Sequence, residues 1–396
     1  MIKNRITTFY NPKIVVSEVI PGLFVNKPKY QLQKKLLHHF EIKNLFLTGS
    51  GRYALKIALE LIGISKGDEV ILPSFICASV ADAVLEAKGI PVFCDNDCMS
   101  FNVSPQSVED ALSDKTKVII VAHMGGIPAK LREFDILSKK YGIPVIEDCA
   151  QSFGSKYNGV YTGLFGDYGF FSFGISKNLS GVGGGVLISK KFPLPSQVPC
   201  KKIEVSEIIS QYVTAFSSQF FFGEKRPLLC NKIIRNQSEK KINSDSFEKY
   251  ARDITHIEAA LALKKLQSFP VQQKIKNENA DIYIQNLRNY FDFISIEKNS
   301  EPSFLYFPLL CKNNSQVRRT KKFLLNSGIE TKDQYDVRYC ALWKNKKFKQ
   351  YKHYGENVLD IDERYLLLPL WQPKQVTEKI CNYLLSGINN SQGKID

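Results

Sequence analysis

Between about residues 44 and 190, short apolar runs alternate with stretches of helical periodicity. The runs cover 44–48, 69–73, 91–94, 117–122, 143–147, 169–173 and 184–189. Several are rich in Val, Ile and Phe and bounded by Gly or Pro, the pattern of strands buried on both faces. Segments such as 53–62 and 78–88 lie between them, with apolar residues at helical spacing and Gly63 or Gly89 just past the end. This rhythm predicts an α/β fold, a mostly parallel sheet flanked by helices. Loops at the carboxyl ends of such strands are where ligands usually bind.

The alternation stops after Lys190. A helix followed by a basic, polar linker is expected over 201–245, and further helices over 255–268 and 279–290. The last third mixes strands (304–310, 365–370) with helices (315–327, 374–386), which suits a smaller α+β domain. The expected organisation is a large domain over 1–250 and a small C-terminal one over 251–396. A chain of 396 residues can bury cores of that size.

Composition narrows the partners. A formal charge of +15 favours anionic ones: phosphorylated small molecules, nucleic acid or an anionic membrane surface. No recognised nucleic-acid module accompanies the charge. The nine cysteines form no framework. Cys94 and Cys98 lack a second pair or nearby histidine to complete a zinc set, so reduced structural thiols are expected, and no metal. The start, MIKNRITTFYNPK, has no apolar core, and no run approaches the roughly 20 apolar residues that span a bilayer. A cytoplasmic protein is the expectation.

Four local features carry chemistry, and each lies at or just after the end of a predicted strand. In Thr48-Gly49-Ser50-Gly51-Arg52, glycines and a helix N-terminus offer backbone N–H groups to a phosphate; a plain glycine turn would look the same. Asp148, in Glu147-Asp148-Cys149-Ala150-Gln151, ends a buried strand, where a carboxylate is costly unless paired, functional or capping a helix. Ser172 closes Phe170-Phe171-Ser172, and Lys177 follows in Gly174-Ile175-Ser176-Lys177-Asn178. Most of the 54 Lys and Arg must be solvated surface charges. Lys177 differs because it lies between an apolar strand and the glycine-rich stretch Gly181–Gly185, where a pocket could lower its pKa and make it a nucleophile. Pyridoxal phosphate needs this set: a lysine for its aldehyde, an acid for its ring nitrogen and donors for its phosphate.

With these motifs the chain resembles the DegT-type sugar aminotransferases, a branch of the fold-type-I pyridoxal-phosphate enzymes. The matching pieces are TGSGRYALKIAL (48–59), GDEVILPSF (67–75), VIEDCAQSFGS (145–155), GDYGFFSFGISKNL (166–179) and GGGVL (183–187), with LLNSGIE (324–330), DQYD (333–336) and LLLPL (366–370) near the end. The resemblance implies that Lys177 carries pyridoxal 5'-phosphate and moves protons, and that Asp148 pairs with the ring nitrogen. It further implies that Gln151 faces the ring hydroxyl and that Ser172, with the backbone of Gly51 and Arg52, holds the phosphate. His123 and Tyr335 would lie near the substrate, a core position being the alternative for His123. Cys77 stands where the family has a stacking aromatic residue, Arg52 where it has threonine. The family's phosphate-binding asparagine from the partner subunit falls near Tyr250, where the match slips.

The implied reaction moves an amino group, from glutamate, to a ketone of a nucleotide-linked sugar for glycan biosynthesis, in a homodimer. A sugar deoxygenase or dehydratase is one alternative; relatives with that chemistry carry histidine in place of the lysine. A non-catalytic regulatory protein on the same fold is another. The segment 205–222 stands apart: Val205, Ile208, Ile209, Tyr212, Val213, Phe216 and Phe220 form an apolar stripe, with Ser206, Glu207, Ser210, Gln211 and Thr214 opposite and six basic residues following. A packed helix, on its own domain or on a partner subunit, is favoured over an interfacial membrane helix.

Overall fold

In the computed structural model, which describes residues 24–97, 99–197, 201, 203–222, 247, 251–332 and 347–392, all seven apolar runs of the first half are strands. The order is α1 (Pro28–Phe40), β1 (Leu45–Thr48), α2 (Gly51–Ile62), β2 (Glu69–Pro73), α3 (Ala78–Glu86), β3 (Ile90–Cys94) and α4 (Pro105–Ala111). Then come β4 (Thr116–Ala122), α5 (Leu131–Tyr141), β5 (Val145–Asp148), the short β6 (Lys156–Tyr157) and β7 (Val160–Tyr161), β8 (Tyr168–Ser172) and β9 (Gly185–Ile188). The later chain adds α6 (Val205–Phe222), α7 (His256–Leu287), β10 (Asp292–Phe293), β11 (Ser300–Glu301), β12 (Phe307–Leu310) and α8 (Asn314–Asn326). It closes with β13 (His353–Tyr354), α9 (Asn357–Arg364), β14 (Tyr365–Leu368) and α10 (Lys374–Gln392).

The main sheet runs β1-β9-β8-β5-β4-β2-β3-β13. Only β9 opposes its neighbours, β1 and β8; the other recorded pairings are parallel. The strand period of two sorts its side chains. Val70, Leu72, Val118 and Ile120 join the large apolar core on one face, while Ile71, Val92, Ile119 and Val121 pack beneath α4 and α5 on the other. That large core continues into β12 and β14 through Leu309 and Leu366. Those strands and β10 form a separate antiparallel sheet.

Two expectations are corrected. The helices expected over 255–268 and 279–290 are one, α7, started by a capping box between Thr255 and Glu258 and continuing through Pro270. An interior proline costs about 3 kcal/mol. Burial of Leu261, Phe269, Tyr283 and Leu287 on both sides of it, at about 1.5–3 kcal/mol each, outweighs that loss. In α6 the buried face is turned from the expected stripe, with Ile208 and Tyr212 still half-buried and Ser206 and Ser210 exposed. Gln211 is buried, donating to Glu258 Oε1 (3.1 Å) and accepting from Thr255 Oγ (2.8 Å), whereas Val205, Ile209 and Val213 are 71%, 57% and 60% exposed. Tyr212 packs on Ile257 and Leu261. The side chains of Phe216 and Phe220 and the basic segment after α6 lie outside the described residues.

Candidate active site

The parallel strands β1, β2, β4, β5 and β8 end on one edge of the sheet, and five loops bring the chemistry there. Ser50 caps α2 by accepting the Tyr53 N–H (3.1 Å), which sets Gly51 and Arg52 in the first helical turn. The loop before it is tied on both sides: Gly49 N–H donates to Arg252 O (2.7 Å), and Gly184 N–H donates to Gly49 O (2.9 Å). Arg252 is itself held by the buried Glu258 (2.7 and 2.9 Å). Gly51 lies against Ser172, at the end of β8, with no room for a side chain on it. Helix α2 therefore presents its N-terminus, the positive end of its dipole, beside the Ser172 hydroxyl.

Together these loops line one cleft of about 120 Å³. Gly51, Arg52, Cys77, Asp148, Gln151, Ser172 and Lys177, all seven residues expected to bind the cofactor, are on its wall. Asp148 is buried, and one of its oxygens accepts the Ala150 N–H (2.9 Å). Burial pushes its carboxyl above the ordinary value, against the Ala150 bond and the charge of Lys177. A cation placed at this carboxylate would relieve that cost. Gln151 Oε1 accepts two bonds, from Gly125 N–H (2.9 Å) and Tyr306 O–H (2.8 Å). Its amide orientation is thereby fixed, and its Nε2 is left with the weak thioether acceptor of Met124 at 3.6 Å.

His123 is placed differently. Its side chain is fully enclosed, with Nε2 3.0 Å from Glu147 Oε2 and Nδ1 accepting the Ala129 N–H (3.1 Å). Because Nδ1 accepts, Nε2 carries the proton and donates to Glu147. Both ring nitrogens are used and the ring does not line the cleft, so of the two alternatives the geometry fits the core histidine. Glu147 also accepts from the N–H groups of Gly163, Phe165 and Gly166 (2.7–2.8 Å). Cys149 completes a close trio with these two. Burial keeps its thiol well above the usual pKa, and the other donor atoms are engaged, which makes the trio structural rather than metal-binding. Cys77 is exposed at the N-terminus of α3, with the Ser79 hydroxyl donating to its sulfur (3.2 Å). Tyr335 and Tyr250 lie outside the described residues.

Sequence reasoning missed Ala150, Met124, Ile76 and Phe170, which give the cleft apolar walls, and Tyr306, which orients Gln151. The first four read as ordinary strand or loop residues. Tyr306 comes from 155 positions away, so no local pattern announces it.

Residues 24–382 match the model of the DegT/DnrJ/EryC1/StrS aminotransferase family. The chain belongs to this family. Its members include pyridoxal-phosphate-dependent aminotransferases of fold type I, and solved neighbours of this chain include a pyridoxal-phosphate form. The chain is 43% identical to a UDP-N-acetyl-3-dehydro-alpha-D-glucosamine 3-aminotransferase of Acidithiobacillus ferrooxidans over 139 residues, 35% of this chain and 38% of that one. It is 26% identical to the GDP-perosamine synthase of Escherichia coli O157:H7 over 323 residues, 81% of this chain and 80% of that one. In fold it is similar to a family aminotransferase from Brucella abortus (21% identity, TM-score 0.70, 93% of each chain). This member of the family is thus a pyridoxal-phosphate-dependent aminotransferase.

Proposed function

We propose that this aminotransferase moves an amino group from glutamate to a keto group of a nucleotide-linked sugar or deoxysugar used in glycan biosynthesis, as a cytoplasmic homodimer. The observation that carries the proposal is the meeting of Lys177, Asp148, Ser172 and the α2 N-terminus on one cleft wall. Relatives named for amination of nucleotide sugars support the substrate class, and the +15 charge suits a diphosphate-linked molecule.

The residues fit the cofactor. When bound, pyridoxal phosphate supplies the aldehyde and the electron-withdrawing ring. Lys177 would hold it and, once displaced by the donor, move the proton at the substrate carbon as general acid and base. Asp148 would keep a positive charge at the ring nitrogen, a pairing that offsets the cost of its own burial. The hydroxyl of Ser172 and the amides of Gly51 and Arg52 would take the phosphate, and Gln151 would offer Nε2 to the ring hydroxyl. Lys177 speaks against the sugar dehydratases, whose chemistry uses histidine there. The test is incubation of the purified protein with pyridoxal phosphate, glutamate and a panel of nucleotide ketosugars. Formation of 2-oxoglutarate with one of them is expected. Turnover with simple keto acids alone would contradict the substrate class.

A further inference from the structure

Helix α7 carries a lysine with no access to solvent. Lys276 is fully buried and, among the described residues, has no carboxylate partner. Its Nζ donates to three oxygens: Asn178 Oδ1 (2.9 Å), Ser303 O (2.7 Å) and Phe304 O (2.9 Å). Three acceptors use all three protons of an ammonium. The Trp371 ring, 4.8 Å away, adds a π face. Burial opposes the charge and pushes the group well below its usual pKa, whereas three acceptors around Nζ favour the protonated amine. An uncompensated buried ammonium is costly and needs a reason to persist.

The three oxygens lead to the cleft. Asn178 is the residue after Lys177, and its Nδ2 donates to Ser303 Oγ (3.0 Å) and to the carbonyls of Gln151 and Phe153 (3.3 Å each). Ser303 N–H donates to Gly126 O (3.0 Å) and Leu305 N–H to Gly125 O (2.7 Å), on the loop that also binds the Gln151 side chain. Phe304, whose carbonyl faces the ammonium, has φ of +34°, in the left-handed region that a phenylalanine rarely adopts. One cation therefore clamps the Lys177 loop, the Gln151 loop and the strained 303–306 segment together.

We propose that Lys276 is a positioning residue for the reaction: its buried ammonium fixes Asn178 and so sets where Lys177 is held in the cleft. The inference rests on the reading of Lys177 as the cofactor-bearing lysine. Lys276 itself does not line the cleft.

The test uses Lys276→Met, which keeps length but removes charge and donors, Asn178→Ala, which removes one acceptor of Lys276 together with the Nδ2 bonds to Ser303, Gln151 and Phe153, and the double variant. Amide hydrogen exchange of residues 173–183 and the cofactor's absorbance between about 400 and 430 nm are read beside kcat and KM. Both single variants should exchange faster over 173–183 and shift that band. They should lose kcat by about 10²-fold, as a displacement near 1 Å can cause, with the sugar KM little changed. The double variant should be no worse than either single one, because one network is broken in all three. Lower thermal stability with native exchange and spectrum would make Lys276 merely structural and overturn the proposal. Should Lys276→Met fail to fold, Lys276→Gln, which removes the charge and keeps a donor amide, takes its place and is read in the same way. Absence of the band from the wild type would defeat the cofactor role of Lys177 instead, and the exchange coupling would still be measurable without it.

Discussion

A Cβ placed on Gly51 would fall 2.9 Å from the Cβ of Ser172 and 3.2 Å from the Phe171 carbonyl oxygen. The first turn of α2 and the end of β8 meet at this contact, and only glycine allows it. Gly51→Ala must push α2 away from the Ser172 hydroxyl, an overpacking that typically costs about 1–3 kcal/mol. Titrating apoenzyme with pyridoxal phosphate should show affinity weaker by about 10–100-fold, the same energy read as binding. Unaltered affinity would show that the phosphate sits elsewhere.

Asp148 gives a prediction whose sign depends on pH. Burial raises its pKa in the folded apoprotein, so the folded state holds the proton more tightly than the unfolded chain. Its contribution is favourable below the unfolded value of about 3.9 and is lost as pH rises through the folded value. Asp148→Asn apoprotein should therefore melt above the wild type at pH 7, with the difference closing in acid. Cofactor should then stabilise the wild type more than the variant, because only the carboxylate pairs with the ring nitrogen. Turnover of Asp148→Asn should fall by about 10²–10³-fold. Equal gains from cofactor would make Asp148 only a turn-forming residue.

His123 should behave as part of the fold. Removing it strands the Ala129 N–H, worth about 1–3 kcal/mol when left unsatisfied, and takes one bond from the buried Glu147 Oε2, which keeps that from Gly163. His123→Ala should lower the melting temperature and leave the sugar KM unchanged. A raised KM in a variant of native stability would return His123 to the substrate site.

Much of this was legible in the sequence because it is local. The seven strands announce themselves by apolar runs with Gly or Pro at their edges. The loops after β1, β5 and β8 carry phosphate, acid and lysine chemistry within a few residues of each strand end. What depends on distant partners was not legible. Whether a histidine faces a ligand or Glu147 is decided 24 positions away, and the ammonium of Lys276 finds its acceptors 27, 28 and 98 positions away. Helix α7 runs through Pro270 because packing on both sides of it outweighs the local signal. The turned face of α6 has the same origin: Gln211 lies inward because Thr255 and Glu258 offer it bonds.

That turn leaves Val205, Ile209 and Val213 on the surface. If the stripe meets the second subunit of the proposed homodimer, Ile209→Glu should shift the sedimentation coefficient towards monomer, and wild type should ignore lipid vesicles. Binding of wild type to anionic but not neutral vesicles, weakened by salt and by the same substitution, would mean that the stripe meets a membrane.

The central claim is that Lys177 holds the cofactor. Borohydride reduction of the protein loaded with pyridoxal phosphate, followed by proteolysis and mass spectrometry, tests it most directly. The reduced cofactor should be found on the peptide containing Lys177, and Lys177→Ala should carry none and turn over no substrate. An adduct on any other lysine, Lys276 included, or turnover by Lys177→Ala, would contradict the account.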